Sequence, residues 1–236
     1  MKKHLLFLLF AFTMPFILFA QSNEAIRKLN DAGVTIEQIE HCLKEADASY
    51  YFKSTNTSVS KNEDGSSYTS VSISEFDPRK PVGEQWTLVS TDGVPATAAE
   101  NKTFNRTTNS TGEFNGKVDQ ASVKVISEDD KHLVIGLRFL EKSLPKKLHF
   151  YADCEATYTI DKDSKKLVSG TIVNLKETKV SVATLSNIKV DLEFILLDEA
   201  EGYHISNEIM DMTVRVLGQT SQSIATIVYS DFKKVK

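Results

Sequence analysis

The chain has 236 residues, 41% of them hydrophobic and 25% charged, and carries a formal net charge of −4. An acidic balance favours solubility and argues against a surface that tracks phosphates, and so against nucleic acid as a partner. The length is within the range of one large β domain.

Residues 1–20, MKKHLLFLLFAFTMPFILFA, set Lys2 and Lys3 ahead of an apolar run from Leu5 to Phe19, with Ala20 before the polar QSNE. A basic start, an apolar middle and a small residue at the junction are the layout of a cleavable secretory signal, with processing expected after Ala20. The competing reading is an uncleaved anchor helix, because the run is only slightly short of the roughly 17 to 25 residues that span a bilayer. No cysteine lies near the junction, which disfavours a lipid-anchored start, and no second apolar run approaches spanning length. The expectation is a signal at 1–20 and a single domain at 21–236, soluble and not membrane-spanning after cleavage, in the periplasm of a Gram-negative envelope.

Asn23 to Asp47 reads as two short helices separated at Gly33. The second has Thr35 as N-cap, Gln38 as its capping-box partner and Val34 placed to staple against Ile39. Its apolar face is Ile36, Ile39, Cys42, Leu43 and Ala46, at helical spacing, so one side of this helix must be covered. Cys42 and Cys154 are the two thiols of the chain. In an oxidising compartment they invite a disulfide, which would contribute about 4 to 5 kcal/mol by loop closure. Both also fall on apolar faces, where an unpaired cysteine behaves as a small hydrophobe. The two readings stand side by side.

From Ser49 the period changes to two. Ser49 to Val59 and Ser66 to Phe76 read as strands around an Asn62 to Gly65 turn. After Phe76, Pro78 and Pro81 hold the chain extended, Glu84 to Thr91 forms a strand carrying Trp86, and Thr97 to Glu100 is a capping box that opens a short helix. The segment reads as a stiff strap crossing from one part of the sheet to another. Asn101 to Asp119 has loop composition, Thr, Asn, Ser and Gly; its sequons at Asn101, Asn105 and Asn109, with one more at Asn56, read as coincidences of a Thr-rich surface.

The clearest alternation runs from Leu148 to Ile160, with Leu148, Phe150, Ala152, Cys154, Ala156, Tyr158 and Ile160 on one face and His149, Tyr151, Asp153, Glu155 on the other. It implies a large sheet with one dry and one wet face. Leu133 to Phe139 and Ile188 to Leu196 repeat the theme, and further strands are expected near 120–128, 165–175, 178–184, 203–217 and 222–232. Runs this close leave no room for crossover helices, so the pairing is antiparallel and mostly sequential, with about eleven strands. The fold class is mainly β with short helices. A one-sided meander can close, form a sandwich or curl around a helix, and the N-terminal helices favour the third: a half-open barrel with helices on its concave side.

The pattern E-F-D-P-R-K-P-x-G-E-x-W-T-L-V-S-x-D-G-x-P-A-T, Glu75 to Thr97, followed by a β-rich remainder ending in Y-S-D-F, resembles uncharacterised secreted bacterial proteins related to the periplasmic outer-membrane lipoprotein carrier (LolA/LolB-like) superfamily. The resemblance implies an incomplete antiparallel barrel whose concave side receives acyl chains. None of the carriers' ligand-contacting positions matches one by one, so a shared fold with different cargo is equally consistent with it.

Catalytic signatures are lacking: there is no G-x-S-x-G, P-loop, G-x-G-x-x-G or H-E-x-x-H, and His41, His132, His149 and His204 are scattered. His149, Asp153 and Glu155 share a strand face but are too widely spaced to hold an ion alone, and Asp161-x-Asp163 lacks the glycine of a calcium loop. No metal, no cofactor and no enzymatic activity are expected. The candidate walls of an apolar pocket are Trp86, Phe139, Phe150, Tyr158 and Phe194, with Ile39 and Leu43 from the helix; for each, plain core packing is the competing role. Burying Ile36, Ile39 and Leu43 is worth roughly 5 to 8 kcal/mol, less than the roughly 11 of a fourteen-carbon acyl chain, so the helix is expected to yield to a lipid. The functional expectation is a non-enzymatic carrier for a lipid, a lipoprotein acyl chain or another apolar ligand, with an envelope protein as a further partner. The alternative is a structural or interaction module with a fully packed core and a partner surface around Arg79, Lys80 and Val82. A hydrolase with a site of unrecognised pattern is the third reading.

Overall fold

The computed structural model describes residues 21–43, 49–111, 114–180, 182–198 and 202–235. The expected signal at 1–20 and the last helix-face residue, Ala46, lie outside the described residues.

Helix α1 covers 21–31 and ends at Gly33, whose φ of +84° is open to glycine without strain. A Cβ there would stand 2.8 Å from the Lys165 Cβ, so glycine also lets the turn between the helices press on the hairpin at Asp161 to Lys166. Helix α2, Ile36–Cys42, begins with the capping box read from the sequence. The Gln38 N–H donates to Thr35 Oγ1 at 3.2 Å, and the Thr35 N–H donates to Gln38 Oε1 at 2.9 Å. Helix α3, Ala98–Thr111, follows the first four strands.

The strands are β1 (Tyr50–Asn62), β2 (Ser67–Phe76), β3 (Trp86–Thr91), β4 (Val94–Pro95), β5 (Lys124–Glu128), β6 (His132–Leu137), β7 (Cys154–Asp161), β8 (Lys166–Asn174), β9 (Thr178–Val180), β10 (Ala183–Asp198), β11 (Gly202–Val216) and β12 (Gln219–Lys234). They form one 12-stranded sheet in the order β4-β3-β2-β1-β12-β11-β10-β8-β7-β6-β5, with β9 paired to β10. Every pairing is antiparallel. The ends of the order, β4 and β5, do not pair with each other, so the sheet is an open half-barrel. The N- and C-terminal strands meet at its middle, where β1 pairs with β12 over Tyr50 to Asn62.

Three expectations are corrected. The strand placed at Leu148 begins at Cys154, and Lys146–Asp153 is a 3-10 helix. Pro145 starts it, accepting the Leu148 N–H at 2.7 Å, and the neighbouring β6 ends at Leu137 opposite Ala156, so an earlier β7 would have had no strand to pair with. The apparent alternation before Cys154 is a chance match of period two. Asn101 to Thr111, read as loop, is helix: the Thr97–Glu100 capping box starts it, and contacts to β3 outweigh the poor helix propensity of Thr and Asn. The strap does not cross the sheet. Phe76 pairs with Trp86 and the Asp77 N–H donates to the Gln85 carbonyl at 2.9 Å, so the proline segment closes a hairpin between β2 and β3.

One contiguous core lies under β6, β7, β8 and β10, where Leu133, Ile135, Leu137, Tyr158 and Ile160 meet Leu29, Val34 and Ile39 from the helical segment. All eight are at most 1% exposed.

Candidate functional site

Beyond that core the concave face is hollow. A cavity of about 340 Å³ opens between β1, β3, β8 and β10 to β12 on one side and the Phe114 and Leu148–Tyr151 segments on the other. That is at the lower end of the range for small-molecule sites. The floor comes from Ile172, Val190 and Leu192 with Ile205, Met210 and Met212 of β11; Leu43 reaches it from the end of α2. Phe52, Trp86, Tyr229 and Phe232 form an aromatic end, and Phe114, Phe150 and Tyr151 form the opposite wall.

Two bulges aim these side chains. Along a regular strand, residues three apart face opposite ways. Tyr229 and Phe232 nevertheless both line the cavity, because the β1 to β12 register shifts between Tyr51 and Lys53 and Asp231 takes a φ of 56°. Ile205 and Glu208 share the cavity for the same reason, the β10 to β11 register shifting between Glu193 and Phe194.

Phe52 is the hub of the aromatic end. Its ring lies 5.2 Å from Phe76, 5.5 Å from Trp86, 5.8 Å from Tyr229 and 5.6 Å from Phe232. Trp86 is held from behind by Phe104 at 6.3 Å. Asn101 fixes α3 there: its amide donates to the Leu88 carbonyl at 3.0 Å and its carbonyl accepts the Leu88 N–H at 2.7 Å, as a neighbouring strand would. The collection of stiff residues around Trp86 thus braces one end of the cavity.

Of the residues expected to line a pocket, Trp86, Phe150 and Leu43 do so. Ile39, Tyr158 and Phe139 are core side chains, and Phe194 packs against Tyr158 at 6.1 Å. Phe52, Tyr229, Phe232 and the two methionines were missed. Phe52 carried a signal, standing on a strand otherwise rich in Ser and Thr; the bulged residues carried none in their spacing. Helix α2 is also no loose cover. Ile36, Ile39 and Cys42 belong to the continuous core together with Ala25 and Leu29 of α1, and Leu43 is the residue of the helical segment that touches the cavity. Its attachment is therefore larger than three side chains suggest, which removes the basis for expecting a lipid to displace it.

Cys42 and Cys154 are not bridged; both are buried free thiols. Cys42 Sγ donates to the Ile39 carbonyl at 3.1 Å, back along its own helix, and Cys154 Sγ to the Phe150 carbonyl at 3.5 Å. Burial pushes the Cys42 thiol well above its usual range and the Cys154 thiol up to about 11, so both stay protonated and unreactive. Tyr151, on the cavity wall, is likewise raised, first by burial and then by the Glu208 carboxylate.

The supposed His149, Asp153, Glu155 face is dispersed: His149 stands 3.7 Å from Glu141, Asp153 pairs with Lys176 at 2.9 Å, and Glu155 with Lys124 at 2.8 Å. Among the described residues no three His, Cys, Asp or Glu side chains gather as metal ligands would. Asp161 accepts from the Ser164 N–H and hydroxyl at 2.7 and 2.6 Å, closing a hairpin turn. In the suggested partner surface, Arg79 is joined to Asp77 at 2.8 Å and Lys80 to Thr87 at 2.6 Å, while Val82 is 92% exposed. No helix among the described residues is long and apolar enough to cross a membrane.

The fold and site together define an open antiparallel half-barrel with an apolar hollow on its concave face. No family model and no curated protein matches the chain. Among solved structures it is similar to a LolA superfamily protein from Nitrosomonas europaea, at 12% identity over 89% of this chain and 94% of that one, TM-score 0.35. A DUF1329 family protein from Desulfovibrio piger matches at 10% identity over 92% of each chain, TM-score 0.35. A putative outer membrane lipoprotein-sorting protein domain from Vibrio parahaemolyticus matches at 12% identity over 84% of this chain and 90% of that one, TM-score 0.33. Likeness at this level leaves cargo open, since one fold hosts many functions.

Proposed function

We propose that this protein is a non-enzymatic binding protein that holds the apolar part of a lipid, an acyl chain or a comparable molecule in the cavity between β10 to β12 and the Leu148–Tyr151 segment. The observation that supports it most is the hollow itself. Ile205, Met210 and Met212 stand half-buried on this wall beside the core residues Ile172, Val190 and Leu192, and what they still expose is burial that an occupant would restore, about 0.8 kcal/mol per CH₂ taken from water. Methionines suit such a wall because an unbranched, polarisable side chain adapts to more than one shape. With the leader expected at 1–20, the protein acts in the periplasm, where an apolar molecule moving between membranes needs a cover. The hollow also argues against the alternative of a fully packed structural module.

Trp86, the one tryptophan of the chain, lines the cavity and reports on it. Titration with the neutral probe N-phenyl-1-naphthylamine is expected to quench Trp86 emission to saturation at one site. Met210→Trp, followed by calorimetry, fills the cavity and abolishes that binding. A linear, non-saturating response, or binding unaffected by Met210→Trp in a variant with unchanged thermal unfolding, counts against the cavity as the site.

A further inference from the structure

The wall that faces the sheet carries a hydroxyl set apart from its apolar surroundings. In a 3-10 helix residues three apart lie on the same face, so Leu148 and Tyr151 of the Lys146–Asp153 helix line the cavity together, while His149 between them is exposed. The Tyr151 ring is clamped on two sides: Phe150 stacks on it at 4.4 Å with 29° between the planes, and Phe114 meets it edge-on at 5.6 Å and 88°. Glycine at position 116 lets Phe114 take that place, since a Cβ there would stand 2.5 Å from the Phe114 ring. A phenol oxygen lies on the axis of its ring, so packing that locks the ring also fixes where the hydroxyl sits.

The Tyr151 hydroxyl makes no hydrogen bond among the described residues, whereas His204, Glu208 and Tyr229 of the same lining have interactions within the protein. It is not sealed in the core as the Tyr158 hydroxyl is. Tyr151 is enclosed by protein and yet keeps accessible surface, and that surface faces the hollow it lines. The Glu208 carboxylate, which reaches the lining from β11, acts on the hydroxyl as well, which puts the hydroxyl on the inner side of its ring. Burial first, and that carboxylate second, hold the phenol protonated, so it presents a donor. A purely hydrocarbon occupant would cover this donor and leave it unsatisfied. An occupant with an oxygen at the same level would accept its hydrogen bond.

We propose that Tyr151 is a ligand-recognition residue, and that the ligand carries an acceptor oxygen inside its apolar body, as esters and ketones do, bound by the Tyr151 hydroxyl. The assignment rests on the reading that the cavity receives an apolar group, and it adds a polar anchor within. It separates oxygen-bearing apolar molecules from plain alkyl chains and places no condition on the charge of a head outside the cavity.

The test uses 2-acetylnaphthalene and 2-ethylnaphthalene, which share an outline and differ in the carbonyl oxygen, each by displacement of N-phenyl-1-naphthylamine at neutral pH. Both are expected to displace the probe from wild-type protein. Tyr151→Phe removes one oxygen atom and is expected to weaken 2-acetylnaphthalene about tenfold while 2-ethylnaphthalene stays within about twofold or tightens. With a 13C-labelled carbonyl, the infrared band of the bound ketone is expected at lower wavenumber in wild type than in Tyr151→Phe, because a hydrogen bond weakens the C=O bond. Tyr158→Phe, which removes the hydroxyl of the packed core, is expected to change neither affinity nor the band. Thermal unfolding at or above the wild-type midpoint shows that each variant is folded. An unmoved carbonyl band, or an effect of Tyr151→Phe that is equal on the two ligands, overturns the anchor while the cavity reading stands, as does a bound probe that neither naphthalene displaces. Absence of saturable binding by the probe and by both naphthalenes overturns the two together.

Discussion

The two halves of the sheet obey the same alternation and end differently. Under β6, β7, β8 and β10 the inward residues meet α1 and α2, and Leu133, Ile135, Leu137, Tyr158 and Ile160 are at most 1% exposed. Along β1, β2, β11 and β12 the inward positions pass from Phe52 and Met210 to Ser58 and Ser70, and most are half-buried. The packed half fixes the curvature; the other half uses it. A sheet becomes a container when a helical layer covers only part of its concave face.

The comparison is most directly tested by large-to-small substitution. Ile135→Ala in the packed half is expected to cost about 2 to 5 kcal/mol in urea unfolding, and Met212→Ala on the cavity wall about 1 kcal/mol or less, because that side chain has fewer partners to lose. Equal costs would mean that the hollow closes in solution. Next in size, Asn101→Leu removes both bonds to Leu88 and is expected to cost about 1 to 3 kcal/mol, with faster hydrogen exchange at the Leu88 amide; unchanged exchange would show that α3 does not brace Trp86. Thr35→Ala breaks the cap of α2 and should lower stability by about 1 kcal/mol, read in the same unfolding experiment.

Two smaller effects refine the contrast. The Tyr158 hydroxyl is buried without a hydrogen-bond partner among the described residues, so Tyr158→Phe should be neutral or stabilising by up to about 1 kcal/mol; a clear loss would reveal a partner, such as an ordered water. At the hairpin that carries Trp86, the Arg79 side chain holds the Asp77 carboxyl at about 2, below the ordinary 3.8. A depressed acid favours the folded state above the ordinary value, and that contribution is lost as pH falls through the lower one. Carboxyl titration by NMR should show this midpoint in wild type and its return toward 3.8 in Arg79→Ala, the carboxylate staying ionised at neutral pH in both.

Much of the architecture was legible in the chain. The capping boxes at Thr35 and Thr97 and the break at Gly33 fix helix starts and stops through local hydrogen bonds, and they occur where the sequence places them. The long alternations at Leu133 and Ile188 imply antiparallel neighbours because one dry face needs company. Legibility failed where period two had no partner behind it, at Leu148, and where contacts with β3 stabilised a helix of poor formers after Glu100. The site was harder to read. Trp86 was marked by its prolines, but Tyr229 and Phe232 reach the cavity only through a bulge, and Tyr158 and Phe139 are as aromatic as any wall residue yet lie in the core.

By itself the sequence determined the mainly β class, the antiparallel pairing and the two N-terminal helices, because each depends on the spacing of residues near one another in the chain. Only the tertiary structure decided which stretch of the concave face is covered, which thiols stay free and which aromatics face a hollow. Those outcomes depend on which distant strands become neighbours, β1 beside β12 and β8 beside β10, and on register shifts of a single residue.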